Sequence, residues 1–267
     1  MLISFIGGGN MATALIKGLK QTGDPHPSIQ VCTPSDETRA WFRAKLHVET
    51  HYDLVAAIDG ADVIVLAVKP QTMPEVLDKM RGLIQPEQLV LSVAAGKTIG
   101  SIAAHLGGAQ AIVRAMPNTP ALTGYGITGI CAGENCEPHH IEQAEEILSA
   151  IGEVVWIKDE SLMDVVTAIS GSGPAYYFLL TEALTSAGKA MGLSGSAALR
   201  LATHTCYGAG AMAVMDDADL VELRRRVTSP GGTTQAAIEV LEGGDFRDLI
   251  MDAVEAATRR GRELARD

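Results

Sequence analysis

Short apolar runs alternate with amphipathic segments along the first 160 residues of the chain. Six runs of strand length, rich in Val and Ile, predict buried strands at 2–6, 29–32, 62–68, 88–93, 111–115 and 153–157. Segments 11–20 and 73–80, which lie between such runs, have the pattern of helices. This alternation predicts an α/β fold, in which helices cover both faces of a mostly parallel sheet.

The strand signal ends after Trp156, and two long, mostly apolar segments follow. Residues 175–193 and 197–215 predict helices in which small residues recur at close spacing and charges are sparse. We therefore predict two domains, residues 1–160 with the sheet and residues 161–267 with helices alone. So much apolar surface in about a hundred residues predicts a subunit interface in the helical domain.

Charge and composition exclude several classes of partner. The chain of 267 residues has a formal charge of −11 and a pI near 5.1, whereas nucleic acids and anionic membranes bind clustered cations. The longest apolar runs are too short to span a membrane, and the first ten residues lack the pattern of an export signal. We therefore expect a cytoplasmic protein that binds neither nucleic acid nor a membrane.

The cysteines agree with a reducing compartment. The chain has four, Cys32, Cys131, Cys136 and Cys206, and their spacing is not that of a disulfide framework. Two of them precede His139 and His140, which raises the alternative of a zinc site. Because the spacing is not that of a standard zinc motif and the segment suits a loop before a helix, we expect no metal.

The first predicted strand runs directly into a glycine-rich turn. The segment L-I-S-F-I-G-G-G-N-M-A places Gly7, Gly9 and Ala12 at the spacing Gly-x-Gly-x-x-Ala before a predicted helix. Gly7 permits the tight turn, Gly9 lets the backbone approach a pyrophosphate, and Ala12 allows close helix–strand packing. Free N–H groups at the helix start bind the phosphate charge. We therefore predict a Rossmann-type, doubly wound domain that binds a dinucleotide; a glycine turn for packing alone is the alternative.

The turn after the second predicted strand bears on the choice between NADPH and NADH. An acidic residue commonly holds the ribose of NAD at this strand tip, but Cys32 is followed by Thr-Pro-Ser. Hydroxyl groups and Arg39, one turn into the next helix, would tolerate a 2′-phosphate, so we expect NADPH, with NADH possible. Asp36 weakens this preference, and Ser35 has the alternative role of a helix N-cap.

Five segments resemble those of the Δ1-pyrroline-5-carboxylate reductase family. They are G-G-G-N-M-A (7–12), A-V-K-P (67–70), R-A-M-P-N-T-P-A-L (114–122), S-G-S-G-P-A-Y (170–176) and T-S-P-G-G-T-T (228–234). The resemblance spans nearly the whole chain. It implies a Rossmann domain, an all-helical dimerisation domain, and hydride transfer from NADPH or NADH to Δ1-pyrroline-5-carboxylate, which gives L-proline in the last step of proline biosynthesis. It also implies a homodimer, with dimers assembled into larger rings such as a decamer.

The resemblance, together with the strand ends at 67–70, 94–96 and 114–120, gives a set of expected cofactor contacts. Doubly wound folds bind their ligands at such ends. The set is Gly7, Gly8, Gly9, Asn10, Met11 and Ala12 for the pyrophosphate; Ser35 for a 2′-phosphate; Ala67, Val68, Lys69, Pro70, Ala94, Ala95 and Gly96 for the ribose and nicotinamide; and Asn118 and Glu160. The second turn lacks the Arg of some relatives, which leaves the choice of cofactor open.

The loop T-S-P-G-G-T-T is the expected substrate half of the site. Pro230 and two glycines stop one helix and turn the backbone, and free N–H groups at the next helix start favour an anion. From the residues alone, an ordinary capped turn between helices is an alternative; the resemblance favours a carboxylate pocket. The expected substrate contacts are Ser229, Gly231, Gly232, Thr233 and Thr234, with Thr234 as the catalytic residue that hydrogen-bonds the ring nitrogen.

The implied reaction needs little acid catalysis, because the electrophile is an iminium that is already protonated in solution. Proximity, orientation and the electrostatics of a closed site then carry catalysis. His204 lies in a mostly apolar segment and is expected in the core rather than as a catalyst.

Two alternatives share the two-domain plan. A β-hydroxyacid dehydrogenase needs a general acid or base, commonly a Lys early in the helical domain, whereas Lys189 comes late in its predicted helix; another imine reductase belongs to the same class. A non-catalytic, NADP-sensing dimer would need no anion pocket in the helical domain.

Overall fold

The computed structural model describes residues 1–22 and 27–265. The strands are β1 (Leu2–Ile6), β2 (Ser28–Cys32), β3 (Glu49–His51), β4 (Val63–Leu66), β5 (Leu89–Ser92), β6 (Ala111–Met116), β7 (Gly126–Ala132) and β8 (Gly152–Trp156). The α-helices are α1 (Asn10–Leu19), α2 (Asp36–Leu46), α3 (Leu54–Ile58), α4 (Met73–Met80), α5 (Ile99–Leu106), α6 (Pro138–Ser149), α7 (Met163–Val166), α8 (Gly173–Ala190), α9 (Gly195–Met215), α10 (Leu220–Arg226), α11 (Thr233–Gly243) and α12 (Phe246–Leu264).

The strands form one sheet in the order β3-β2-β1-β4-β5-β6-β7-β8. All neighbours pair in parallel except β6 and β7, and β1 pairs with both β2 (Ile6 opposite Cys32) and β4 (Ile6 opposite Leu66). The chain order reverses on the two sides of β1, so β1 and β4 flank the switch point of a doubly wound sheet. The prediction of a mostly parallel sheet of the Rossmann type is confirmed, as are its six strands; β3 and β7 are additional.

The core lies on both faces of the sheet. Strands β4 and β5 are buried along their whole length, which explains why they appear in the sequence as continuous apolar runs. Helices α1, α2 and α6 cover one face, and α3, α4 and α5 cover the other. Each fully buried large side chain, such as Phe5, contributes about 1.5–3 kcal/mol through removal of apolar surface from water.

The chain divides into two compact units. One contains Met1–Ser172 and the C-terminal segment from Ala257, and the other is Gly173–Ala256. The sheet-containing unit is discontinuous in sequence, because the helical unit lies between its two segments. The second boundary falls inside α12. No helix among the described residues is long and apolar enough to cross a membrane.

The helical unit has almost no interior of its own. Of residues 173–256, all of which the structure describes, only Gly173, Ala198 and Ala202 are buried. Large apolar side chains are instead exposed, among them Phe178 at 69% and Tyr207 at 66%. His204, which we expected in the core, is exposed on α9, because this unit buries so few side chains. Exposed apolar surface on this scale is typical of an interface.

The first turn of helix α6 contains a buried histidine, His140. The backbone N–H of Glu137 donates to Nδ1 of His140 at 3.0 Å, and Nε2 of His140 lies 3.3 Å from the Glu87 carbonyl oxygen. Only a neutral ring protonated at Nε2 makes both bonds. Burial lowers the pKa of His140, which favours this neutral form.

We expect the stability of the protein to depend on this ring below about pH 6.5, the ordinary pKa of histidine. Between that value and the lower pKa of the folded state, the unfolded chain binds the extra proton. The free energy of unfolding should therefore fall with falling pH by up to about 1.4 kcal/mol per pH unit. Urea unfolding at pH 7.5 and 5.5 measures this, and His140→Gln should flatten the dependence. His139→Gln, at the exposed neighbour, is the control; an equal effect from both variants contradicts the prediction.

Candidate active site

The glycine turn after β1 has a conformation that only glycine adopts readily. Gly7 has φ +108°, and its N–H donates to the Cys32 carbonyl at 2.8 Å. A Cβ atom at Gly7 would lie 2.6 Å from the carbonyl oxygen of Ala67. The turn after β1 and the loop after β4 are thus in direct backbone contact.

Gly9 differs from Gly7, because the space next to it is empty. Its backbone is extended (φ −84°, ψ −171°), and a Cβ atom would meet no described atom within 4 Å. It is the N-cap of α1, where no side chain accepts a hydrogen bond from the first turn and no acidic residue is present. The N–H groups that start α1 therefore have no side-chain cap, and uncapped N–H groups at a helix start favour an anion.

Three predicted cofactor segments follow neighbouring parallel strands and meet at one edge of the sheet. The Ala67 N–H donates to the Ile6 carbonyl at 2.9 Å, and the Val93 N–H donates to the Leu66 carbonyl at 3.1 Å. The structure thereby brings the turn 7–12 beside the loop 67–70, and that loop beside 94–96. The prediction of these segments as cofactor contacts fits this placement.

A groove of about 600 Å³ opens beside the glycine turn. Its lining includes Gly7, Cys32, Pro34, Tyr52, Val68 and Lys79. Burial raises the pKa of the Cys32 thiol, so a neutral thiol lines the groove. The groove is concave, mostly apolar and at the switch point of the sheet, as expected for the nucleoside part of a dinucleotide.

The groups expected near a 2′-phosphate have partners within the chain. Ser35 is the N-cap of α2, and its hydroxyl oxygen accepts from the Thr38 N–H at 3.1 Å. The Arg39 guanidinium donates to the Thr33 carbonyl and the Asp36 carboxylate, and it lies 5.3 Å from the centre of the Tyr52 ring. Ser35 is exposed beside the groove, whereas Arg39 is buried and engaged.

Asn118 and Glu160 also bind protein groups. Asn118 donates to the Ser170 carbonyl at 3.1 Å and accepts from the Ile127 N–H at 3.0 Å. Oε1 of Glu160 accepts from Arg114 at 3.0 Å and from the Ile99 N–H at 2.8 Å. Arg114 itself is not among the predicted site residues, although an arginine within an apolar strand run is a signal for a buried ion pair.

In the helical unit, the loop between α10 and α11 forms a second glycine-capped helix start. Gly231 has φ +70°, and its N–H donates to Oε1 of Gln235 at 2.7 Å. Gly232, with an extended backbone (φ −87°, ψ 174°), is the N-cap of α11 and donates to the Ser229 carbonyl at 3.0 Å. No side chain caps α11, and its first turn has no acidic residue.

Helices α1 and α11 therefore share a feature that distinguishes them from other helices of the chain. Among the described α-helices, α2, α3, α5, α9 and α10 are capped by the side chains of Ser35, Asp53, Thr98, Ser194 and Asp219. In α1 and α11 a glycine stands at this position, and no cap side chain accepts from the first N–H groups. Both predicted anion-binding segments, 7–12 and 229–234, are of this kind.

Comparisons with known proteins agree with this geometry. Residues 2–96 match a family described as NADP oxidoreductase, coenzyme F420-dependent, and residues 160–264 match one described as pyrroline-5-carboxylate reductase dimerisation. The pyrroline-5-carboxylate reductase of Pseudomonas aeruginosa is 45% identical, with 98% of this chain and 96% of that protein covered. That of Haemophilus influenzae is 41% identical, with 98% and 97% covered.

Solved structures show the same relationship. A pyrroline-5-carboxylate reductase from Coxiella burnetii has a TM-score of 0.94 at 42% identity, with 98% of each chain covered. The Plasmodium falciparum pyrroline carboxylate reductase with NADP bound has a TM-score of 0.84 at 30% identity, with 99% and 97% covered. The fold and these matches define an oxidoreductase that uses a nicotinamide cofactor. The chain belongs to the pyrroline-5-carboxylate reductase family.

Proposed function

We propose that this protein reduces Δ1-pyrroline-5-carboxylate to L-proline with a hydride from NADPH, in the last step of proline biosynthesis. The observation that carries the proposal is the pair of glycine-capped helix starts, one in each unit, in a chain of this family. A dinucleotide offers a pyrophosphate to one of them, and a small imino acid offers a carboxylate to the other. A non-catalytic NADP sensor would need only the first.

Each unit has a distinct task. The turn 7–12 holds the pyrophosphate, and the loops 67–70 and 94–96 flank the ribose and nicotinamide. In the helical unit, the N–H groups at the start of α11, beginning with Thr233, bind the substrate carboxylate together with the Ser229 hydroxyl. Gly231 and Gly232 shape the loop, and the Thr234 hydroxyl hydrogen-bonds the ring nitrogen.

The nicotinamide, when bound, supplies a hydride from C4 to C5 of the iminium ring. The hydride carries both electrons, and the ring nitrogen already carries its proton, so no protein acid is consumed. The residues named above orient the ring and stabilise its charge distribution, which is the basis of catalysis by proximity and electrostatics.

The direct test follows NADPH consumption at 340 nm with Δ1-pyrroline-5-carboxylate, in parallel with NADH and with β-hydroxyacids plus NADP⁺. We expect turnover with the cyclic imine alone. Absence of turnover with both reduced cofactors overturns the proposed function, and tight NADP⁺ binding in that case supports the sensor instead. Oxidation of a β-hydroxyacid supports the dehydrogenase.

The preference for NADPH rests on the exposed Ser35 hydroxyl at the tip of β2. Ser35→Asp retains an N-cap for α2 but places a negative charge where the 2′-phosphate is expected. We expect kcat/KM with NADPH to fall about tenfold or more, because like charges repel, while kcat/KM with NADH changes little. Ser35→Asn keeps the cap without the charge and is the control. Equal losses with both cofactors would argue against a 2′-phosphate at Ser35.

For the assembly, we propose that residues 161–267 form the substrate-binding and dimerisation domain and residues 1–160 the cofactor domain, in a homodimer of the cytoplasm. Dimers associating into a larger ring, such as a decamer, extend the same proposal. The family match over residues 160–264 and the exposed apolar side chains of the helical unit support it.

Phe178→Asp tests this interface. A charge in a buried apolar interface is costly, so we expect the variant to elute near its monomer mass of 28.0 kDa and to lose activity. Light scattering coupled to size exclusion measures the mass. Ala40→Asp adds the same charge to the exposed face of α2 and should leave the mass of the assembly unchanged. If the Phe178→Asp protein remains oligomeric, the interface does not include Phe178.

A further inference from the structure

Three charged side chains form a largely buried cluster behind the loop 94–96. Arg114 of β6 is 6% exposed in its side chain, and its Nη1 lies 3.0 Å from Oε1 of Glu160. Its Nη2 lies 3.8 Å from Oδ1 of Asp164 in α7, a side chain that is 15% exposed. We propose that this cluster positions the loop 94–96, which leads into α5, and through it the nicotinamide end of the cofactor. The inference rests on the proposed function.

The first link runs from Glu160 to the start of α5. Oε1 of Glu160 accepts the N–H of Ile99, the first residue of α5, at 2.8 Å. Thr98, the N-cap, accepts the Ser101 N–H at 3.1 Å with its side chain. A carboxylate at this end of a helix interacts favourably with the helix dipole. Glu160 therefore fixes the end of the loop that begins at Ala94.

The second link runs through the last turns of α12. A Cβ atom built on Gly261 would lie 3.2 Å from Oδ1 of Asp164, so the absence of a side chain lets α12 approach the cluster closely. Three residues later, the Leu264 carbonyl oxygen lies 3.6 Å from the position of a Cβ atom on Gly96. The loop is thus held between the capped start of α5 and the end of α12.

Arg114 connects the two links. It pairs with Glu160, which holds α5, and faces Asp164, which contacts α12. A buried charge is stable only with its partners, so the guanidinium fixes both carboxylates in place. The role is one of positioning: Glu160 acts on the cofactor through the Ile99 N–H and the loop, not through contact with the cofactor itself.

Ile99→Pro removes the one N–H that joins Glu160 to α5. Proline is favoured at the first position of a helix, and Thr98 has the extended backbone (ψ 156°) that precedes proline readily. Ile99→Ala removes the side chain but keeps the N–H and is the matched control. Glu160→Ala removes the acceptor, and Glu160→Gln keeps an acceptor oxygen.

Isothermal titration with NADP⁺ and steady-state kinetics, on the full chain, test the inference. We expect Glu160→Ala and Ile99→Pro each to raise the dissociation constant for NADP⁺ about tenfold, and the double variant to add no further loss. Ile99→Ala and Glu160→Gln should stay within about threefold of the wild type, and the KM for the imine within about twofold.

Three results would overturn the inference. A loss in Glu160→Ala without one in Ile99→Pro means that Glu160 contacts the cofactor directly. Unchanged NADP⁺ binding in both shows that the cluster does not position the loop, and equal loss of imine and cofactor binding shows a purely structural role. Failure of the proposed function is distinct, because the wild-type protein would then consume no NADPH with the imine.

Discussion

Thr234→Ala is expected to lower kcat about 100-fold or more, with little change in the temperature of unfolding. Thr234 lies in the first turn of α11, and none of the described residues hydrogen-bonds its hydroxyl. Removal of that hydroxyl therefore costs the folded chain little. A preorganised hydrogen bond to the reacting atoms contributes about 2.7–4 kcal/mol to the transition state, and loss of the bond from the protonated ring nitrogen to the Thr234 hydroxyl oxygen is the source of the expected effect.

The kinetics of three variants separate this role from local structure. Thr234→Ser keeps the hydroxyl and should recover most of the activity. Thr228→Ala makes the same change six residues earlier, where the hydroxyl donates to the Arg224 carbonyl at 2.6 Å, and should retain near-normal kcat. Equal kcat in Thr234→Ala and the wild type would remove Thr234 from the mechanism.

Gly9→Asp is expected to abolish cofactor binding without loss of stability. The extended backbone of Gly9 accepts any residue, and no described atom lies within 4 Å of the new Cβ. Asp is also a good N-cap, so α1 gains about 0.3 kcal/mol relative to the glycine cap. The carboxylate would occupy the N–H groups and repel the pyrophosphate, and the dissociation constant for NADP⁺ should rise at least about 100-fold.

Calorimetric titration measures the dissociation constant for NADP⁺, and thermal unfolding measures the stability of the variant. Gly195→Asp places the same charge in the first turn of α9, a helix with no proposed ligand at its start, and should leave NADP⁺ binding unchanged. Gly7→Ala should behave in the opposite way to Gly9→Asp, with a lower unfolding temperature, because its Cβ meets the Ala67 carbonyl. If Gly9→Asp binds NADP⁺ normally, the pyrophosphate does not lie at α1.

The sheet was predictable where strands are buried and rich in β-branched residues. The two additional strands lack that signal. Strand β3 has only three residues, and β7 contains Gly126 and Gly129, which weaken a strand pattern. The glycines have a structural reason that appears only in three dimensions: a Cβ atom at Gly129 would lie 2.5 Å from a methyl group of Val166.

For the site, the sequence indicated which loops meet but not which partner each polar side chain binds. The glycine spacing and the strand ends predicted a common edge, because parallel strands place their carboxyl ends together. Arg39, Asn118 and Glu160 find carbonyl, carboxylate and N–H partners elsewhere in the chain, at separations of up to 61 residues. Pairing between residues so far apart in sequence depends on the tertiary structure, and the local sequence pattern does not predict it.

The return of α12 to the sheet-containing unit affects the order in which the protein is made. During synthesis, residues 1–172 emerge from the ribosome long before the segment from Ala257 that completes their unit. Until then, Asp164 and the loop at Gly96 lack the helix that contacts them. Domains generally fold as units during translation, but this one still lacks its second segment when residues 1–172 have been synthesised. The cofactor domain thus acquires its final form only after the helical segment between its two parts has been synthesised.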